Sequence, residues 1–339
     1  MNQPLLIFAE KGIYCPLADL YVDPWKPVAK AIITHGHADH ARRGHQHYLT
    51  HRNSAHVLRS RLGQKISVES VEYGEAFCQN GVKISLHPAG HVFGSSQVRF
   101  EFNGEVWVVS GDYKLTDDHI STPFEPVKCH VFVTESTFGL PIYHWRPQEQ
   151  IIQEIEHWWA INRQLGITSV LIGYSLGKAQ RVLHHLKASI GDIFAHRAIT
   201  SVNQILETAG IRLPRVKPLP AKNLKTLVQG ELVYLPPGAL RNGWLEELEP
   251  LALAYTSGWM PLTTQSNRPR NVQCFMLSDH ADWDELNRAV AASTAEHICV
   301  THGNSDIFAR WLKECGYSVE LIETRYNGEF GEIESSTTE

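Results

Sequence analysis

The densest chemistry in the chain lies in Thr34-His35-Gly36-His37-Ala38-Asp39-His40, directly after the apolar run Ala31-Ile32-Ile33. Three imidazoles and a carboxylate within six residues can converge on a small volume if a tight turn folds them back, and Gly36 suits such a turn. Neutral imidazole suits zinc, and a carboxylate can bind one metal ion or bridge two. One loop cannot surround two ions, so partners must arrive from elsewhere. Three candidates stand just past strand-like runs: His91 in HPAGHVFG, Asp112 in VVSGDYK and His302 in CVTHGN. Each has a glycine neighbour (Gly90, Gly111, Gly303) that permits close backbone approach or unusual dihedrals. Singly, each reads as a surface or capping residue. Together with the HxHxDH segment they supply ligands enough for two ions.

The elements that must position these residues are legible in outline. Strand-like runs occur at Ala31–Thr34, Val82–Leu86, Val98–Phe102, Val106–Ser110 and Val131–Thr134, and Asn103-Gly104 between two of them signals a tight hairpin. After Pro141 the pattern changes. Apolar spacing predicts a helix over 148–165, a strand over Ser169–Tyr174, a helix over Lys178–Ser189, a strand near Ile193–Ile199 and a helix over Val202–Ala209. Strands near Glu231–Leu235 and Leu251–Tyr255 follow the basic connector RLPRVKPLPAK, and such alternation suggests a parallel sheet. The final part predicts a strand at Val272–Leu277, a helix over Ala281–Ala292, a strand at His297–Thr301, a helix over Ser305–Cys315 and a strand at Ser318–Ile322. The expected organisation is a first domain of residues 1–140 with 273–339, and a second of residues 141–272 inserted into it.

The chain has 339 residues, which at roughly 150 per domain is a prior of about two domains. Hydrophobic residues at 43% and charged residues at 20% are ordinary for a globular protein, which sets aside disorder, collagen-like repeats and disulfide scaffolds. The longest apolar stretches, such as Val106-Trp107-Val108-Val109, fall far short of the ~18 residues of a membrane span, and the N-terminus carries no visible signal peptide. The six cysteines (15, 78, 129, 274, 299, 315) are scattered without a CxxC pair, as reduced thiols in a cytoplasmic protein would be. The net charge of −5 conceals an uneven spread. Residues 24–65 hold eight Lys/Arg against Asp39 alone, residues 211–229 hold five against none, and residues 314–339 hold seven Glu and one Arg. The two basic stretches suit a polyanion partner even though the total does not.

Residues 35 to 112, with HxHxDH, then a histidine, then an aspartate, resemble the metallo-β-lactamase superfamily. The resemblance implies an α/β fold, an αβ/βα sandwich with two metal ions at one edge. It implies that His35, His37 and His91 hold the first ion, that Asp39, His40 and His302 hold the second, and that Asp112 bridges. Asp23, in YVDPW, falls where the superfamily has a strand-end aspartate supporting the first histidine pair. Three further motifs narrow the branch: Glu135 in VTESTFG, the junction Gly173-Tyr174-Ser175-Leu176-Gly177-Lys178-Ala179-Gln180, and Ser278-Asp279-His280-Ala281-Asp282. In that order they resemble the β-CASP nucleases, whose β-CASP domain is an α/β insertion between the acidic motif and the histidine of SxHAD.

The chemistry is coherent with that resemblance. Two divalent ions, zinc or else manganese, would suit hydrolysis at phosphorus, and Asp112 would belong to the catalytic set. A leaving sugar oxygen needs a proton, which a histidine oriented by a carboxylate supplies near neutral pH; His280 with Glu135 fits. Backbone N–H groups at a helix N-terminus favour an anion, so Ser175, Gly177 and Lys178 are expected at a substrate phosphate. Spacing excludes a Walker A loop there. His45, His47, His51, His56, His184, His185 and His196 match no ligand motif and are left outside the site.

The polymer is a separate question. His302 at its position favours RNA within the β-CASP group. The N-terminal segment GIYCPLADLYVDPWKPVAKAIITHGHADHAR and Thr256-Ser257-Gly258-Trp259-Met260 are most similar to the bacterial DNA-ligase-associated exonucleases. That similarity implies DNA as substrate, hydrolysis from an end, a place in DNA repair, and association with a DNA ligase and a helicase. The alternatives are an RNA-processing β-CASP ribonuclease, a small-molecule zinc hydrolase and a non-catalytic scaffold subunit. The full ligand set speaks against the last, and the inserted domain against the hydrolase.

Overall fold

The structure, a computed structural model, describes residues 4–187, 189–220, 224, 228–242, 244–259 and 272–324. The chain divides into two compact units, with the breaks after His144 and after Asp279.

The first unit holds two mixed sheets. One has the order β1-β2-β3-β4-β5-β6, with β1 Ile7–Ala9, β2 Gly12–Cys15, β3 Leu20–Val22, β4 Lys30–Ile32, β5 His47–His51 and β6 Val68–Val71. The helix α1, Arg52–Leu62, joins β5 to β6. The second sheet comprises β7 Ala76–Gln79, β8 Val82–Pro88, β9 Ser96–Phe102, β10 Glu105–Val109, β11 Val131–Ser136, β18 His297–Gly303 and β19 Ser318–Leu321, in the order β19-β18-β11-β10-β9-β8-β7. Asn103 and Gly104 take positive φ, as the two-residue turn between β9 and β10 requires.

Strand alternation explains the layers. Trp107 and Val109 pack in a core with Ile13, Val22, Ile32, Ile84, Phe100 and Val133, side chains drawn from both sheets. Their neighbours Val106 and Val108 face the other way, against Leu286, Val290, Phe308 and Leu312. Those residues belong to two helices, α5 over Trp283–Ser293 and α6 over Ser305–Glu314. On the far side, Ala31, Ile33 and Tyr48 pack against Leu58 of α1. Helix, sheet, sheet and helix are stacked in that order: an αβ/βα sandwich. Burial on both faces is why Val106–Val109 reads as an unbroken apolar run.

The second unit is a parallel sheet of order β14-β13-β15-β12-β16-β17, with β12 Thr168–Ile172, β13 Ile193–Ala195, β14 Val216–Pro218, β15 Leu232–Leu235, β16 Leu251–Thr256 and β17 Val272–Phe275. The helices α2 Gln148–Gln164, α3 Lys178–His185 and α4 Arg197–Thr208 contribute to its core, with Ile155 and Trp159 beside Val182, Leu183, Ile199 and Leu232. Two expectations shift here. The strand expected to run to Ile199 ends at Ala195, because the His196 ring accepts the Ala198 N–H and α4 begins five residues earlier than its apolar spacing suggested. Val272–Phe275 pairs with β16, so this unit reaches past residue 272. Met260, Lys222, Lys225 and residues 325–339, most of the acidic tail, lie outside the described residues.

Candidate metal centre

Strand direction assembles the centre. In the second sheet β10, β11 and β18 run parallel, and β8 shares their direction through two antiparallel steps. Their C-terminal ends therefore lie along one sheet edge. His91 follows the end of β8, Asp112 follows β10, and Glu135 and His302 are the penultimate residues of β11 and β18. The loop after β4 of the first sheet brings in His35, His37, Asp39 and His40.

Glycine makes the close approach possible. Gly111 has φ +58°, and a Cβ there would stand 2.8 Å from the Thr34 Cβ. Gly90 has φ +71°, and a Cβ there would press on the Lys114 carbonyl oxygen. Gly36 lies in the loop after β4 without taking positive φ. Its carbonyl instead accepts a hydrogen bond from the Arg61 guanidinium of α1.

The structure brings six of the seven expected donors into two overlapping groups. His35, His37, His91 and Asp112 form one, and His40, Asp112 and His302 the other, with the donor atoms of each group within 4.8 Å of one another. Asp112 is common to both. Its Oδ1 lies 2.9 Å from Nε2 of His302, and its Oδ2 lies 3.4 Å from Nε2 of His40 and 3.5 Å from Nε2 of His35. The Asp39 carboxylate stands beside the second group, 3.8 Å from Nε2 of His40.

These donors fit a pair of divalent cations. All seven side chains are buried. Nε2 of His35 has no hydrogen-bond partner, and Nδ1 of His37 lies 3.0 Å from Nε2 of His91. Converging buried lone pairs are costly unless a cation joins them. Burial and neighbouring charge set the proton count of the cluster before any cation enters it, and a proton on a ligand imidazole must leave when a cation binds. Burial, reinforced by His40, drives His35 well below the usual imidazole range, into the neutral form that binds metal. Burial works against the charged form of His40 too, but Asp112, Asp39 and Asp23 outweigh it and hold His40 well above that range. Burial likewise opposes ionisation of Asp112, yet His40, His280 and His302 keep it well below the ordinary carboxylate range.

Supporting contacts orient the rings. Asp23 accepts the Thr34 N–H at 2.8 Å and lies 2.8 Å from Nδ1 of His40. It thus meets the His40 imidazole directly, and it reaches His35 through the Thr34 hydroxyl, 3.0 Å from Nδ1 of His35. Thr301 repeats that device, with its hydroxyl 3.1 Å from Nδ1 of His302. Ser95 Oγ accepts the His91 N–H. Residue-type reasoning missed Thr34, Thr301 and Ser95, although the repeated Thr-His-Gly was there to be read.

His280 is buried beside this cluster, its ring 4.6 Å from that of His91 and its Nδ1 3.0 Å from Oε2 of Glu135. Oε1 of Glu135 accepts the Tyr113 N–H at 2.7 Å. The carboxylate accepts, so Nδ1 carries the proton and Nε2 is the nitrogen left to exchange one.

The strand–helix junction of the second unit turns its polar groups inward. Lys178 is buried, its Nζ 3.6 Å from Oδ1 of Asp279 and 4.7 Å from the centre of the Tyr174 ring. The Gly177 N–H is taken by Oε1 of Gln180, and the Ser175 carbonyl accepts from Nε2 of the same side chain. The Lys178 ammonium thus has a counter-charge within its own unit. The remaining histidines stay outside the centre: His51 caps α1, His196 caps α4, and His45 accepts the Val28 N–H.

No protein-family model matches the chain. It is 30% identical over 318 residues to a probable DNA ligase of Opitutus terrae, a match covering 92% of this chain and 30% of that protein. It is 23% identical to cleavage and polyadenylation specificity factor subunit 3 of Dictyostelium discoideum, over 53% of this chain and 27% of that one. It is also 29% identical to the endoribonuclease YSH1 of Saccharomyces cerevisiae, over 34% of this chain and 15% of that one. The chain thus spans under a third of the length of these relatives. A solved structure of a protein of unknown function from Enterococcus faecalis V583 shares the fold, with a TM-score of 0.59 at 12% identity over 88% of this chain and 80% of that one. The resemblance to the β-CASP metallo-β-lactamase nucleases and the α/β fold class read from the sequence are borne out. Among the described residues no helix is long and apolar enough to cross a membrane.

Proposed function

We propose that the protein is a two-metal phosphodiesterase that hydrolyses DNA from an end, in DNA repair alongside a DNA ligase. The observation that carries this reading is Asp112, whose carboxylate reaches both groups of imidazoles, Oδ1 toward His302 and Oδ2 toward His40 and His35, beside the His280–Glu135 pair. His35, His37 and His91 would hold one ion, Asp39, His40 and His302 the other, with Asp112 shared. Bound there, divalent ions such as zinc or manganese supply Lewis acidity to a phosphoryl group and a water nucleophile at neutral pH.

The chain's own groups do the rest. Glu135 fixes the Nδ1 proton of His280, so Nε2 can pass a proton to the departing sugar oxygen. Burial of the cluster removes competing water and strengthens each of these interactions. Arg43, Arg52 and Lys65, exposed on the same unit, suit backbone phosphates. DNA is favoured because the relative matched over most of this chain carries the name of a DNA ligase. A ribonuclease is the second reading, favoured by His302 and by the relatives named endoribonucleases.

Matched DNA and RNA strands labelled at either end test the proposal directly. Progressive shortening of DNA from one end is expected. Internal cleavage of RNA with DNA left intact would overturn it in favour of the second reading.

A further inference from the structure

Lys114 is buried in the first unit, and a buried ammonium requires a reason. Its Nζ donates to the main-chain carbonyl of His280 at 3.1 Å and lies 3.3 Å from Oε2 of Glu285. One residue earlier, the Tyr113 carbonyl accepts the Ala281 N–H at 2.7 Å. The peptide between His280 and Ala281 is therefore gripped at both its polar atoms by consecutive residues of the Asp112 loop. The same loop grips the other half of the pair, since the Tyr113 N–H donates to Glu135. It is itself tied to the His91 loop, through the Lys114 N–H to the Ala89 carbonyl at 3.0 Å.

We infer that Lys114 is a positioning residue for His280. It fixes the main chain from which the imidazole projects, and so holds Nε2 at the departing oxygen. Glu285 balances the charge that this grip buries, and it is anchored by the Thr116 N–H at 2.7 Å and by the capping box of α5. The Lys114 side chain meets the main chain of His280 directly, so its effect on the site is expected through the proton donor. The inference rests on the reading of His280 as that donor.

The test exploits leaving-group chemistry. A sugar alkoxide needs a proton as it departs, whereas p-nitrophenolate does not. Lys114→Met should slow cleavage of a labelled oligonucleotide by about 100-fold and hydrolysis of thymidine 5′-(p-nitrophenyl phosphate) by under about threefold. Metal content should be unchanged. His280→Ala is measured beside it and should show the same split. Equal slowing on both substrates, or loss of metal from Lys114→Met, overturns the inference. A split in His280→Ala that is absent from Lys114→Met overturns it alone, and no split in His280→Ala overturns the donor reading. If Glu285 left without its partner prevents folding, Lys114→Met with Glu285→Gln removes both charges and must show the split. Failure of both variants to fold would make Lys114 purely structural.

Discussion

Asp112 meets His302 through Oδ1, 2.9 Å from Nε2, while its Oδ2 turns toward His40 and His35. One carboxylate thereby serves both donor groups, and no other residue of the cluster stands in both. Asp112→Ala should lower bound metal from about two ions per chain and reduce cleavage by about 1000-fold. Elemental analysis beside a digestion assay measures both, and unchanged cleavage would remove the mechanism.

Thr301 and Thr34 each hold the Nδ1 of the histidine that follows. The Thr301 hydroxyl donates onward to the Thr134 carbonyl and so is left to accept from Nδ1, which turns Nε2 of His302 toward Asp112. Thr301→Val should weaken metal binding by about 10–100-fold with little change in fold. Competition against a chromophoric chelator reads this, and a wild-type affinity would show that the hydroxyl does not orient the ring.

Gly111 carries a different kind of cost. Its φ of +58° and a prospective Cβ 2.8 Å from that of Thr34 mean that any side chain must displace the loop bearing His35. Gly111→Ala should cost about 1–3 kcal/mol in strain, with further loss from the steric shift. Urea denaturation checks the stability, and metal content should fall with it.

Much of this was legible because the centre is written in residue types that do little else in such spacing. The HxHxDH segment and the glycines beside His91, Asp112 and His302 could be read in order, since strand ends deliver ligands in sequence. The supporting groups were harder to find. Thr34, Thr301, Ser95 and Lys114 are common residue types whose roles depend on contacts between distant strands. Lys178 shares that difficulty, because the Asp279 carboxylate that faces it stands a hundred residues away in the sequence. The helix α1 was hidden in a basic stretch with few apolar residues; its start is capped by His51, an unusual capping residue.

Glu285 gives a pH dependence with a definite sign. Burial opposes its ionisation, but the Lys114 ammonium and the hydrogen bonds from Thr116 hold its carboxyl below the usual 4.5. A depressed carboxyl contributes stability that is present above its unfolded value and lost as pH falls through the folded one. Glu285→Gln should therefore cost about 3–5 kcal/mol at neutral pH, where Lys114 loses its counter-charge. The gap between wild type and variant should narrow as pH drops below that range. Urea midpoints across the acid limb test it; a gap independent of pH would assign the cost to packing.

Lys178 separates phosphate binding from internal charge balance. A lysine that contacts substrate phosphate releases counterions, and its removal lowers the slope of log affinity against log salt by about one. With Nζ facing Asp279 in a buried setting, Lys178→Met should leave that slope unchanged and lower stability, because a buried positive charge beside Asp279 is removed. Arg43→Ala, at an exposed position, should shift the slope and leave stability intact. Binding of a labelled strand to catalytically silent Asp112→Ala protein over a range of salt compares the two. A reduced slope for Lys178→Met would restore the junction at Gly177 as a phosphate site.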